Sequence, residues 1–114
     1  AVGPYSQANV VGDFVFTAGQ LGVDPQTGQF VSDDVQAQTR RALENLRAVL
    51  EAAGTDLAHV VKTTVFLSDM ANFKAMNEVY ATYFEPPYPA RSAVAVKELP
   101  LGGLVEIEAV AVKP

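Results

Sequence analysis

The chain has 114 residues, a hydrophobic fraction of 49% and a charged fraction of 18%, which predicts a single globular domain over residues 1–114. It contains no cysteine and only one histidine, which excludes disulfides, cysteine-based zinc sites, thiol nucleophiles and multi-histidine metal cages. The net charge of −5 repels phosphate backbones, so we expect no nucleic-acid partner.

The same composition bears on the location of the protein. No stretch approaches the roughly 18 consecutive apolar residues of a membrane span, and the first residues lack the charged and apolar regions of a signal peptide. We therefore expect a cytoplasmic protein without a membrane partner. Because the sequence begins at Ala1 rather than at a methionine, we also expect a few residues to precede it.

The first third of the chain predicts short strands and turns. Gly12 separates two strands as in a β-hairpin, and alternation places Phe14 and Phe16 on one side of the second strand. The predicted elements are strands at 9–11 and 13–18, a tight turn at 24–28 and an extended segment at 29–31.

A long amphipathic helix is predicted over residues 33–53. Ser32 precedes it as the N-cap, and Gly54 supplies the left-handed residue that ends it. Its apolar face carries Val35, Ala42, Leu46, Val49, Leu50 and Ala53. We interpret its three arginines, which are interrupted by Glu44, as a solvated helix face rather than a nucleic-acid site. They are Arg40, Arg41 and Arg47.

The second half predicts a strand, a second helix and two closing strands. Ser68 or Asp69 caps the helix, and the proline pair at 86–87 stops it. Its inner face carries Phe73, Met76, Tyr80 and Phe84. The elements are a strand at 60–67, a helix at 70–84 and strands at 91–97 and 104–112. This order predicts an α+β fold with two helices on one face of a single sheet.

The closing strands predict apolar side chains on both faces of that sheet. In the last strand, apolar residues alternate onto two sides: Val105, Ile107, Ala109 and Ala111 on one, and Leu104, Val110 and Val112 on the other. Two helices cover only one face, and an exposed apolar face usually marks an interface. We therefore expect a homo-oligomer whose sheets pack together, although the pattern does not provide the copy number.

Two carboxylates interrupt the apolar pattern of the last strand. Glu106 and Glu108 alternate onto the side assigned to the interface. Burying a carboxylate without a partner is costly. Two interpretations therefore stay open: either these side chains are solvated or paired with Lys62 or Lys97, or they serve a function.

Arg91 is the only arginine outside the first helix, and a proline-rich segment leads into it. The prolines restrict the approach of the chain, which favours a guanidinium positioned to bind a carboxylate. The alternative is a structural salt bridge to Glu106 or Glu108.

Three further residues are weaker candidates. Tyr5 is either a ligand contact or an aromatic pinned on the core. Gly19 either lets the backbone approach a ligand or forms a bend. We interpret His59 as a surface or capping residue.

Five segments, taken together and in order, carry a family resemblance that covers the whole chain. They read GPYSQA at 3–8, AGQ at 18–20, VKTTV at 61–65, PARS at 89–92 and VEIEAVAV at 105–112. With this spacing the sequence resembles the RidA/YjgF family, the reactive-intermediate or enamine/imine deaminases.

The resemblance implies a fold, an assembly and an activity. The fold is a chorismate-mutase-like, or ferredoxin-like, α+β fold, and the assembly is a homotrimer whose sheets form a central barrel with sites between subunits. The implied reaction hydrolyses 2-aminoacrylate and related 2-enamino or 2-imino acids to 2-keto acids and ammonium. The resemblance implies neither a cofactor nor a metal.

The resemblance also assigns roles to individual residues. Arg91 matches the family arginine that binds the substrate carboxylate, and Glu106 matches the glutamate that holds and polarises water. Glu108 receives no role. The implied pocket residues are Tyr5, Gly19, Asn77 and Phe73. Two departures remove polar pocket atoms and bear on substrate preference: Ala93 replaces a cysteine of many bacterial members, and Ala18 replaces a serine.

Two other functional classes remain as alternatives. Members of the family are also described as endoribonucleases or translation inhibitors, which the acidic charge and the lack of a histidine pair disfavour here. The other alternative is a non-catalytic trimer that binds a small ligand or acts as a chaperone.

Overall fold

The computed structural model of the protein describes residues 3–114. The predicted α+β architecture is confirmed, because two helices pack on one side of a mixed sheet. The strands are β1 (Ala8–Val11), β2 (Phe14–Thr17), β3 (Gln20–Leu21), β4 (Val60–Leu67), β5 (Ala90–Ala95) and β6 (Val105–Val112), and the helices are α1 (Val35–Ala52) and α2 (Phe73–Tyr80). No helix in this part of the chain is both long and apolar enough to cross a membrane.

The sheet has the strand order β1-β2-β6-β4-β5, and β3 pairs with β6 beyond the end of β2. All pairs are antiparallel except β4 and β5, which run parallel because α2 carries the chain back between them. β5 therefore forms one edge of the sheet, next to α2, and β6 lies in the interior.

The core lies between the sheet and the helices. The predicted inward side of β6 is confirmed: Val105, Ile107, Ala109 and Ala111 are all buried. From the helices, the largest side chains with no exposed surface are Leu43, Leu46, Leu50 and Met76. Leu43 was not predicted on the apolar face of α1, whereas Val49 and Ala53, which were, are only partly buried.

The other side of the sheet, here called the open face, is not covered by any helix of residues 3–114. Phe14 and Phe16 lie on it with exposures of 48% and 46%, and their ring centroids are 6.3 Å apart. Register places Glu106 and Glu108 on the same side, opposite Phe66 and Thr64 of β4. The prediction of a sheet with an uncovered, largely apolar face is therefore confirmed.

The N-terminal cap of α1 differs from the prediction. The chain stays extended through Asp34, whose Oδ2 accepts a hydrogen bond from the Ala37 amide at 2.9 Å. Ser32 lies too early to cap the helix, and its Oγ accepts from the Asp34 amide instead. The helix therefore begins at Val35 rather than at residue 33. Its end agrees closely with the prediction, because Gly54 has a φ of +93°.

The second helix is shorter than predicted. Residues 70–72 form a 3₁₀ turn in which Asp69 accepts a hydrogen bond from the Ala71 amide, and α2 proper begins at Phe73. It ends at Tyr80, because after Ala81 the amides of Thr82 and Tyr83 bond to carbonyls three residues back, which tightens the chain ahead of the proline pair. Three predicted inner residues are nevertheless buried, namely Met76, Tyr80 and Phe84.

The third strand is not where it was predicted. The segment at 29–31 makes only an isolated bridge between Phe30 and Val23. The strand forms instead at Gln20–Leu21, which pairs with Ile107 and Glu106 of β6. The two residues are too few for an alternating pattern, so the sequence carried no signal for this strand.

The cap of α1 can be tested by comparing two neighbouring aspartates. Asp34→Ala removes the acceptor of the Ala37 amide, so we expect the free energy of unfolding to be about 1 kcal/mol lower than in the wild type. Asp33→Ala removes a charge near the same helix end but no cap, and chemical denaturation should show a smaller change. Equal losses in the two variants would contradict the assignment of Asp34.

Candidate functional site

Arg91 lies on the edge strand β5 and faces the helices. Its backbone pairs with Thr63 of β4, a residue with no exposed surface. Its Nη1 donates a hydrogen bond to Asn77 Oδ1 at 2.6 Å. Its Cζ lies 5.4 Å from the centroid of the Phe73 ring and 4.6 Å from that of Tyr80. One face of α2 therefore holds the guanidinium.

The guanidinium has no carboxylate partner within residues 3–114, because no salt bridge of 4.0 Å or shorter involves it. The interpretation of Arg91 as a structural ion pair with Glu106 or Glu108 of the same chain is therefore wrong. A guanidinium has five N–H donors in a planar fork, and the bond to Asn77 uses one of them. The half-buried group is suited to bind a carboxylate through the others.

Glu106 lies on the open face against the backbone of Gly19. A Cβ atom at residue 19 would be only 2.6 Å from Glu106 Cδ, so a larger residue there would force the Glu106 side chain to move. Burial, and to a lesser degree the charge of Glu108, raise the pKa of Glu106 above its usual range. A carboxyl group with a raised pKa keeps its proton to a higher pH, and its ionised form is a stronger base.

Neither glutamate is neutralised by a lysine of the same chain. Within the described residues, no salt bridge joins Glu106 or Glu108 to Lys62 or Lys97. Lys62 Nζ donates instead to Ser92 Oγ at 2.9 Å. Among residues 3–114 the two carboxylates of the open face therefore have no salt-bridge partner.

Tyr5 is 50% exposed, so it is not pinned on the core. Its segment is anchored through Gln7, whose carbonyl accepts from the Ala18 amide at 2.8 Å and whose Oε1 accepts from Gln20 Nε2 at 2.8 Å. This anchoring places the segment beside the chain that flanks Gly19.

The predicted site residues, together with Tyr80, thus form two separate groups. The arginine group consists of Arg91, Asn77, Phe73 and Tyr80, and the glutamate group of Glu106 and Gly19, with the segment of Tyr5 beside it. Arg91 pairs with Thr63, and Thr63 with Ala109, so Arg91 and Glu106 are two strands apart, about 10 Å, and three residues out of register, about another 10 Å. They also project from opposite sides of the sheet.

The remaining candidates lie outside both groups. His59 Nδ1 is 2.7 Å from Asp56 Oδ1, just before β4, which agrees with a capping role. Within residues 3–114, no three side chains among His, Asp and Glu are grouped to hold a metal ion.

Ala93 lies two residues after Arg91 on the same side of β5, so its methyl group belongs near the arginine group.

Two residues at the arginine group, Tyr80 and Thr63, were not predicted as site residues from the sequence. Tyr80 was assigned only to the core, and Thr63 received no role. Both hydroxyls are buried and lie 2.8 Å apart. A signal did exist, because residues 73, 77 and 80 follow the i, i+4, i+7 spacing of one helix face.

The raised pKa of Glu106 predicts a pH-dependent stability difference. A folded-state pKa above the unfolded value stabilises the fold at low pH, and this contribution is lost as the pH rises through the folded pKa. We therefore expect Glu106→Gln to become increasingly more stable than the wild type between about pH 4 and neutrality. Urea denaturation at several pH values measures this difference.

Glu51→Gln, at an exposed position near the end of α1, is the matched control. Its stability relative to the wild type should not follow the same pH course. A difference between wild type and Glu106→Gln that stays constant with pH would contradict the prediction.

Comparisons with known proteins agree over the whole chain. The family model described as endoribonuclease L-PSP matches residues 1–113. A RutC family protein from Pyrococcus horikoshii is 55% identical over 98% of this chain and 89% of its own length. The human 2-iminobutanoate/2-iminopropanoate deaminase is 48% identical over 99% and 82%.

Solved structures have the same fold. RidA from an Antarctic Psychrobacter superposes with a TM-score of 0.94 at 47% identity, covering 98% of this chain and 90% of that one. TdcF from E. coli, solved with bound serine, superposes with a TM-score of 0.93 at 44% identity, covering 100% and 91%. The fold, the motif segments and these identities agree: the chain belongs to the RidA/YjgF family, whose relatives include reactive-intermediate deaminases.

Proposed function

We propose that the protein hydrolyses 2-aminoacrylate and related 2-enamino or 2-imino acids to 2-keto acids and ammonium. The observation that carries this proposal is the Arg91 guanidinium, which is held by an amide and two rings but has no carboxylate partner in the described chain. The human relative named 2-iminobutanoate/2-iminopropanoate deaminase supports the substrate class.

Arg91 binds the substrate carboxylate in this proposal. Asn77 restrains one end of the guanidinium, and Phe73 lies against it. The donors in the guanidinium plane then pair with the two carboxylate oxygens. The bound serine of TdcF is also a carboxylate ligand, which is consistent with such a site.

Glu106 orients the attacking water and moves the protons. 2-Aminoacrylate gains a proton on its methylene carbon and gives up one from its nitrogen to become the imine, and water then adds across the C2–nitrogen double bond. The resulting carbinolamine transfers a proton from oxygen to nitrogen, and ammonia leaves as the C2 carbonyl forms. Each step needs a group that accepts and returns a proton, which a carboxylate with a raised pKa does well near neutrality.

One chain is not sufficient for this site, because Arg91 and Glu106 project from opposite sides of the sheet. We propose a homotrimer in which the open faces form a central barrel. Phe14, Phe16 and Val94 support this assembly, because all three are nearly half exposed in the single chain and a barrel of open faces would bury them. Each site then combines the arginine group of one subunit with the glutamate group of the next. Tyr5 and Gly19 line it.

RNA cleavage is the second candidate, because the matching family model is described as endoribonuclease L-PSP. The net charge of −5 argues against strong RNA binding. Cleavage that persists through extensive purification and disappears in Arg91→Ala would reverse the order of the two candidates.

The roles of Arg91 and Glu106 predict different kinetic losses. Arg91→Ala should lower kcat/KM for 2-aminoacrylate by about 100-fold or more, because it removes a charged hydrogen-bonding pair with the substrate. Glu106→Gln should lower kcat by about 10²–10⁴-fold with a smaller effect on KM. Coupled measurement of pyruvate formation gives both constants.

Arg40→Ala is the matched control, because Arg40 is an exposed arginine of α1 that makes no hydrogen bond or ion pair with the arginine group within residues 3–114. It should retain wild-type constants. Wild-type turnover in Arg91→Ala, with the assembly unchanged, would refute the proposed role of Arg91.

The composite site predicts complementation between two inactive variants. In trimers assembled from equal amounts of Arg91→Ala and Glu106→Gln, about one quarter of the interfaces combine an intact Arg91 with an intact Glu106. Activity should therefore rise to about a quarter of the wild-type value on mixed refolding. If the mixture stays as inactive as the separate variants, the site does not span two subunits in this way.

A further inference from the structure

Tyr80 forms the inner side of the arginine group. Its ring is buried, and its hydroxyl makes a hydrogen bond. Tyr80 is only 6% exposed, and its ring centroid lies 4.6 Å from Arg91 Cζ, closer than the 5.4 Å of Phe73. Both distances are within the range of a cation–π interaction. Tyr80 is therefore the nearer aromatic contact of the guanidinium and is also the more buried one, because it is part of the core whereas Phe73 only packs against it.

The hydroxyl group of Tyr80 fixes the far end of its ring. It lies 2.8 Å from Thr63 Oγ1, and either oxygen is able to donate the hydrogen. Burial raises the pKa of Tyr80, so the phenol stays protonated at neutral pH. Phenylalanine at residue 80 together with valine at residue 63 would fill nearly the same volume without the cost of burying two hydroxyls, so hydrophobic packing alone does not explain this pair.

The position of Thr63 links this hydrogen bond to Arg91. Thr63 is the residue of β4 that pairs in register with Arg91 of β5. Three contacts therefore connect these residues in a ring. The Arg91 backbone pairs with Thr63, the Thr63 hydroxyl is hydrogen-bonded to that of Tyr80, and the Tyr80 ring contacts the Arg91 guanidinium. The strand that carries the guanidinium is thereby tied to the ring that supports it.

We infer that Tyr80, anchored by Thr63, is a positioning residue that holds the Arg91 guanidinium in the orientation needed to bind a carboxylate. This inference rests on the proposed function only in taking Arg91 as the carboxylate-binding group. Tyr80 itself does not touch the substrate. Its ring restricts motion of the guanidinium, so less conformational freedom is lost when a carboxylate binds.

The motion of Arg91 can be measured without any catalytic assay. In ¹⁵N relaxation experiments on the full chain, the Arg91 Nε–Hε group should be well ordered in the wild type. In Tyr80→Phe and Thr63→Val, the order parameter should fall toward the range of flexible groups, below about 0.6. Thr63→Ser keeps the hydroxyl and should restore the wild-type value.

Binding of pyruvate, a 2-keto acid, provides the second measurement. The Kd for pyruvate and the KM for 2-aminoacrylate should both rise about 3- to 10-fold in Tyr80→Phe and Thr63→Val, the size expected for loosening one cation–π contact. The value of kcat should change by less, because the orientation of Arg91 affects bound substrate and transition state alike.

Tyr83→Phe is the matched control. The Tyr83 hydroxyl donates to Glu44 Oε2 at 2.8 Å, and its ring lies 5.5 Å from Arg47 Cζ, so the variant removes an equivalent hydroxyl beside a different arginine. It should leave the order of Arg91, the Kd for pyruvate and the KM unchanged.

The possible outcomes separate this inference from the proposed function. If Tyr80→Phe and Thr63→Val lower the melting temperature but leave the Arg91 order parameter and the Kd for pyruvate unchanged, the hydroxyl pair is only structural and the inference is overturned. If the wild type binds pyruvate without hydrolysing 2-aminoacrylate, and Tyr80→Phe still loosens Arg91 and weakens binding, the proposed function fails while the positioning role is supported.

Discussion

The alternation of side chains along β6 determines which residues enter the core and which lie on the open face. Odd-numbered residues from 105 to 111 are buried beneath the helices, and the even-numbered residues lie on the open face. A pleated strand cannot present adjacent residues to the same side, so burying Ile107 necessarily sends Glu106 and Glu108 outward. The core and the glutamate group are therefore two consequences of one register, and a shift by one residue would destroy both.

The opposite projection of Arg91 follows from the same sheet geometry. Arg91 is in register with Thr63 and therefore shares the helix-covered side, where α2 supplies an amide and two rings. At the sheet edge it is half-buried rather than enclosed, so rings of α2 lie against the guanidinium while part of it stays open to solvent. In a protein with a net charge of −5, a cation held in this way gives an anionic ligand a local favourable potential.

Much of the fold could be predicted because its long elements have strong periodic patterns. The apolar spacing of α1, the alternation of β6 and the left-handed Gly54 all appear in the structure. The errors lie where several local signals compete or where none exists. Ser32, Asp33 and Asp34 are all good caps, and the backbone conformation selects Asp34. β3 has only two residues and forms because β6 provides a partner.

The sequence by itself determined the long helices and strands, the uncovered apolar face and the residue types capable of the chemistry, since these depend on spacing and composition. Only the tertiary structure decided which of those residues meet. It placed Arg91 among Asn77, Phe73 and Tyr80, placed Glu106 against Gly19, and separated the two groups across the sheet. The reason is that strand register and helix packing join residues distant in the chain. The Thr63–Tyr80 hydroxyl pair, 17 residues apart, has no local sequence signal.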